Sequence, residues 1–179
     1  MADFLVTTAT DDGTGNIAGT LSRAIKEANA AMGDDRIILK TNVTMSGVMT
    51  RLVNSNITIT SDDPATTGVV EDNFIISGGN SFRPLFVKSG TVAIENLKLN
   101  NGKALGGSSN GGGGGAGMGG ALFVYKGSIT VDNVGFAGNQ AIGGNGNQTS
   151  LKGGNGGGGM FGDSGGDGGG GLFGSSTDG

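Results

Sequence analysis

The sequence predicts an all-β solenoid, a parallel β-helix, on three observations: a gapless internal repeat, the period of its apolar residues, and the position of its glycines. Pro84 to Leu105 aligns with Ala121 to Ile142 at an offset of 37 positions, with Leu, Phe, Val, Gly, Asn and Ala identical at six of them. Within each copy apolar and polar residues alternate, as at Val92, Ile94, Leu97 and Leu99, and again at Ile129, Val131, Val134 and Phe136. That is strand periodicity. A strand-turn-strand unit of this size cannot bury its own apolar face, so it stacks on copies of itself. Removing the run from Gly106 to Gly117 from the repeat leaves 25 residues, about one solenoid turn. The glycines then form a lateral loop between turns.

The elements follow in order. Phe4 to Thr8 reads as an opening strand, and Asp11 to Asn16 as a turn cluster. Thr20 is placed to cap a helix in which Leu21, Ala24, Ile25 and Ala28 share one face, and Gly33 stands where a left-handed terminator belongs. An amphipathic helix laid over the first turn covers apolar core and open strand edges, so residues 1–33 read as an N-terminal cap. Short strands follow at Arg36 to Leu39, Val43 to Met45, Ile57 to Thr60, Phe74 to Ser77 and Leu85 to Val87. The β-helix turns occupy 34–142. Residues 143–179 are a glycine-rich continuation, either further turns or partly disordered chain, in which Met160-Phe161 and Leu172-Phe173 each follow four glycines and echo Gly120-Ala121-Leu122.

Composition narrows the function classes. A net charge of −4, a pI near 4.6 and 11 scattered basic residues argue against nucleic acid and against anionic partners generally. With no cysteine there are no disulfides or thiolate metal sites, and with no histidine the usual general base and commonest metal ligand are gone. No apolar run approaches the roughly 20 residues of a membrane span. No basic, apolar leader opens the chain.

The stretch from Phe4 to Ala30, followed by Gly33-Asp34-Asp35-Arg36-Ile37-Ile38, resembles the N-terminal cap of large bacterial surface and secreted right-handed parallel β-helix proteins, of the cyanobacterial and autotransporter-like kinds. Gly119-Gly120-Ala121-Leu122 and Phe136-Ala137-Gly138-Asn139 resemble the paired motifs of polymorphic outer-membrane-protein repeats. The first copy departs from that pattern, with Leu99 for the Phe and Gly102 for the Asn. The resemblance implies a right-handed β-helix at the cell surface or outside the cell.

Candidate chemistry is sparse. Asn96 and Asn133 are expected to form a hydrogen-bonded ladder at the bend between strands, and Phe86 and Phe123, with Leu85, Leu122, Val87 and Val124, to build core. Asp11-Asp12, Asp34-Asp35, Asp62-Asp63 and Glu71-Asp72 are the carboxylate pairs that a polysaccharide lyase or hydrolase would need, but each lies in a turn and reads as solvated. Asp163 and Asp167 sit in a stretch like the calcium-binding nonapeptide, out of register at the ligand position. Thr58-Ile59-Thr60 does not recur as the array an ice-binding face requires. The glycine segments 106–120, 143–159 and 162–171, if ordered, pack as polyproline-II strands held side by side by backbone hydrogen bonds.

No catalytic, cofactor-binding or metal residue is assigned. The expected function is a non-enzymatic structural or adhesive surface protein, a homo-oligomer or filament built through end-to-end or glycine-face contacts, with a surface glycan as a further partner. The rival from another class is the N-terminal part of a β-helix polysaccharide lyase, hydrolase or epimerase.

Overall fold

The computed structural model describes residues 1–62, 73–110 and 113–147. The described chain is mostly β, a parallel solenoid of about four turns with a single helix near the N-terminus. It comprises two compact units, one of Met1–Gly102 with Ala121–Asn139, the other of Lys103–Gly120 with the chain from Gln140 on.

In the first unit the strands stack in three parallel columns. The first holds β1 (Asp3–Val6), β3 (Asp35–Leu39), β5 (Ile57–Thr60) and the leading halves of β8 (Thr91–Asn100) and β12 (Ser128–Ala137). Phe4, Ile37, Ile59, Ile94 and Val131 lie in line along it. The second holds β2 (Thr10–Asp11), β4 (Val43–Met45), β6 (Ile75–Ser77) and the trailing halves of β8 and β12, with Val43, Ile76, Leu99 and Phe136 in line. The third holds β7 (Leu85–Val87) and β11 (Leu122–Val124), with Val53 bridged to Val87 below them. Alternation sends one side of each strand inward, so Ile37, Ile59, Ile94, Val43, Ile76, Leu99, Val53 and Val87 join one buried core. Each such side chain stabilises the fold by about 1.5–3 kcal/mol.

Register also gives the length of each turn. From Ile37 to its partner Ile59 is 22 residues, slightly under the 25 expected. From Phe4 to Ile37 is 33, because helix α1 (Leu21–Ala30) is inserted, and from Ile94 to Val131 is 37, because the glycine run is. From Ile59 to Ile94 is 35, so the helix and the glycine run account for two of the three longer turns.

The corners repeat with the strands. Left-handed residues stand at Gly90 and Gly127, at Asn96 and Asn133, and at Asn101 and Gly138, each pair 37 apart, with φ between 51° and 106°. At the first corner a Cβ on Gly127 would lie 2.3 Å from the Gly90 carbonyl oxygen, so only glycine fits there. Asparagine holds the second because its short amide tolerates the left-handed region and bonds locally.

Helix α1 forms as its sequence directs. Thr20 is extended and its Oγ1 accepts from Arg23 N at 3.2 Å, while Leu21, Ala24, Ile25 and Ala28 are buried in the same core as the strands. The helix packs against β1 and β3. Two expectations change here. The helix ends at Ala30 with Ala31 extended as its C-cap, so Gly33, although left-handed, lies beyond the terminus. Asp11, read as part of a solvated turn, ends β2 and is fully buried. Its Oδ2 accepts from Ser22 N at 2.6 Å, and its Oδ1 from Ser22 Oγ at 2.6 Å and Gly13 N at 2.8 Å. A buried acceptor at the positive end of a helix satisfies backbone donors that would otherwise be orphaned.

Phe86 lies directly under Phe123 as expected, with ring centroids 5.1 Å apart and tilted by 54°. Phe86 is buried as expected, while Phe123 is half-buried. Leu85 and Val87 point inward, so alternation turns Phe86 to the opposite side, where Arg83 lies 6.0 Å from its ring and 5.5 Å from that of Phe123. Burial pushes the Arg83 guanidinium down to about 10.

In the second unit β9 (Lys103–Leu105) pairs with β13 (Gln140–Ile142), and β10 (Ser109–Asn110) with β14 (Gly146–Asn147), both parallel. The readings at Met160-Phe161 and Leu172-Phe173 lie outside the described residues.

Candidate functional site

The polar side chains at the corners form one continuous device. Asn133 Nδ2 donates to Asn96 Oδ1 at 2.8 Å, and Asn96 Nδ2 donates in turn to Asp62 Oδ2. The asparagine ladder expected from the repeat is present and reaches one turn further. Asp62 was hidden because it lies 34 rather than 37 positions before Asn96. Asn139 works similarly at the next corner, accepting from Gly102 N at 2.7 Å and donating to Leu99 O at 2.7 Å. The Gly102 that breaks the motif is therefore the residue its upper-turn counterpart caps. Asn96→Ala is expected to destabilise the coil by about 1–3 kcal/mol, from the left-handed strain of a Cβ without a local hydrogen bond and the lost ladder. Asn96→Gly removes only the second contribution, and chemical denaturation of the two variants separates them.

Asp12 and Asp34 are bonded to nearby side chains and backbone. Both the N–H and the hydroxyl of Thr14 donate to Asp12 Oδ1, at 2.9 and 2.8 Å, and these bonds hold the Asp12 carboxyl below its usual value of 3.8. A carboxylate with a depressed folded pKa stabilises the fold above its unfolded pKa, and that stabilisation is lost as pH falls through the folded value. Asp12→Asn is therefore expected to make acid unfolding shallower below the ordinary carboxylate range, a change read from stability measured against pH. Asp34 Oδ1 accepts from Asn56 Nδ2 at 3.1 Å, and Asn56 Oδ1 from Thr91 N at 3.0 Å. Asp35 is not solvated as its turn suggested. It is 1 % exposed at the head of β3, its Oδ1 accepts from Ala2 N at 2.9 Å, and its Oδ2 has no partner among the described residues. Asp63, Glu71 and Asp72 lie outside the described residues, as do Asp163 and Asp167 of the calcium-like stretch. Thr60 is buried and accepts from Asp62 N, so Thr58-Ile59-Thr60 offers no outward threonine pair.

The glycine segments are ordered where they are described. Gly115 N donates to Gly107 O at 2.8 Å, and Gly144 N to Gly115 O at 2.8 Å, so residues 106–110, 113–120 and 142–147 run side by side through their backbones. The period is diagnostic. A Cβ on Gly114, Gly117 or Gly120 would come within 1.8–2.3 Å of the carbonyl oxygens of Gly144, Ile142 and Gln140, whereas Ala116 and Met118 are exposed. A close backbone approach at every third residue fits the three-residue turn of polyproline II. The side-by-side backbone hydrogen bonding expected of packed glycine segments thus joins 106–110, 113–120 and the start of 143–159. The segment 162–171 lies outside the described residues.

Among the described residues no three or more acidic side chains gather as a metal site, and no helix is long and apolar enough to cross a membrane. Compared with known proteins, the chain matches no family model, no curated sequence and no solved structure.

Proposed function

We propose that this chain is a non-enzymatic structural or adhesive protein of a bacterial surface, of the right-handed β-helix kind that its cap and its GGA and FxxN motifs resemble. The observation that carries this reading is the use made of its polar side chains. Asp11 anchors the helix, Asp12 caps a turn, Asp34 accepts from the Asn56 side chain, and Asp62, Asn96 and Asn133 form a ladder. The first two hold backbone and the others tie one turn to the next, which is the work of a scaffold. Glycosidic chemistry asks instead for two carboxyls held free across a cleft. Incubation of the purified protein with pectin, alginate and other uronate polymers is expected to yield no new unsaturated or reducing ends. Turnover abolished by a single Asp or Glu substitution would overturn the reading.

Self-assembly belongs to the same proposal. Val131 and Phe136 of β12 are 43 % and 52 % exposed, while Ile94 and Leu99, their partners one turn below, are fully buried. Among the described residues β12 pairs only with β8, and an apolar strand edge of this kind is a template for a further strand. A net charge of −4 is a weak barrier at physiological salt. Sedimentation is expected to show association that rises with concentration, and a dispersed monomer throughout the micromolar range would count against assembly.

A further inference from the structure

Composition argues against anionic partners because the basic residues are scattered along the sequence, yet the fold gathers several of them. Lys26, Arg51 and Lys88 converge on one open pocket of about 340 Å³, together with Asn29, Thr50, Leu52 and Asn54. Helix α1, the loop between β4 and β5 and the turn after β7 each contribute one cation. Among the described residues no carboxylate lines the pocket. Among the described residues neither Lys26 nor Lys88 has an acidic partner. Arg51 spends only its Nε, on Thr14 O at 2.6 Å. Three cations facing one cavity repel one another, and an anion between them relieves that repulsion.

The frame around these cations is rigid. Asn29 Nδ2 donates to Leu52 O at 2.8 Å and its Oδ1 accepts from Asn54 N at 3.0 Å, which ties the loop to the helix. Thr50 donates to Gly13 O through both N and Oγ1, at 3.0 and 2.8 Å. Lys88 N donates to Val53 O at 2.7 Å, so the backbone that carries the third cation is tied to the same loop. A backbone held in place around the cations lowers the ordering cost of binding.

One turn above Lys88 stands Tyr125, which is 61 % exposed and whose N donates to Val87 O at 2.8 Å, with exposed Lys126 beside it. Stacked turns are about 4.8 Å apart. A basic pocket thus continues along the coil into an aromatic ring and another cation. Planar faces flanked by charge suit a saccharide ring with an acidic substituent, the ring packing on the apolar face of tyrosine and the acid on lysine or arginine. A nucleic acid fits less well, because the protein's overall negative charge repels a continuous phosphate backbone.

We propose that this pocket and the column above it bind an acidic glycan, seating a ring carboxylate or sulfate between Lys26, Arg51 and Lys88 with a neighbouring sugar on Tyr125. The choice of a glycan polymer rests on the adhesive reading above, whereas the anion site rests on the pocket alone. Calorimetric titration of the intact protein tests it with four probes: a galacturonate hexamer, a heparin-type sulfated hexasaccharide, neutral maltohexaose and a dodecathymidylate. At least one acidic hexamer should bind and weaken with added salt, and whichever binds identifies carboxylate or sulfate as the group recognised. Maltohexaose should not bind. Lys88→Gln should lower affinity about tenfold, the loss of one charged hydrogen bond, Tyr125→Ala should weaken the hexamer more than inorganic sulfate, and Lys98→Gln, outside the pocket, should change nothing. Failure of both acidic hexamers to bind, unchanged affinity in a Lys26→Gln, Lys88→Gln double variant that retains its circular dichroism, or tighter binding of the oligonucleotide would overturn the proposal. The galacturonate sample is also assayed for new reducing ends, so that failure of the non-enzymatic reading is told apart from failure of the pocket.

Discussion

Ile94→Ala is expected to destabilise the protein by about 2–5 kcal/mol, the range for deleting a fully buried branched side chain. Ile94 is wholly inaccessible and lies in line between Ile59 below and Val131 above. In a solenoid each turn is held chiefly by its neighbours, so a cavity in β8 weakens the interfaces on both sides of that turn. Denaturant unfolding should show a lower midpoint. Ile94→Val, which removes a single methylene, should cost only about 0.5–1.5 kcal/mol.

The second large effect belongs to the glycine segments. Gly117→Ala places a methyl group 2.1 Å from the Ile142 carbonyl oxygen, a backbone atom that cannot rotate away, whereas Gly113→Ala meets nothing within 4 Å. The first substitution is expected to cost about 1–3 kcal/mol through overpacking. The second should be neutral or slightly stabilising, since alanine restricts the unfolded chain more than glycine does. Hydrogen exchange of Gly115 and Gly144, whose amides bridge the segments, locates the damage: their protection should fall in Gly117→Ala and persist in Gly113→Ala. Equal behaviour of the two variants would remove the polyproline-II account.

Much of this architecture was legible because a parallel solenoid writes its register into the sequence. The 37-residue offset placed Phe86 under Phe123 and Asn96 under Asn133, and the alternation around Ile94 and Leu97 gave the inward side of β8. Three things were not legible, each for a physical reason. Burial of Asp11 and Asp35 depends on what the fold lays over them, and a turn-like sequence carries no trace of that cover. The direction of Phe86 follows from the alternation of a three-residue strand, too short a run to distinguish inside from outside. Lys26, Arg51 and Lys88 lie 25 and 37 positions apart, but Lys26 belongs to the inserted helix and Arg51 to a loop before the aligned repeat, so only the closed coil brings them together.

Register is the claim on which the ladder, the core columns and the basic pocket all depend, and it can be measured in solution. Thr91 and Ser128 are exposed direct partners in adjacent turns, at a strand spacing of about 4.8 Å that falls within the Cα separation a disulfide accepts, about 4.4–6.8 Å. The chain has no cysteine of its own, so a Thr91→Cys, Ser128→Cys variant can be read without background. Under mild oxidation it is expected to form an intramolecular disulfide nearly completely while folded, and much faster than a Thr91→Cys, Thr130→Cys control whose partners are two residues out of register. Slow cross-linking of the first pair, or equal rates for the two, would contradict the stacked coil.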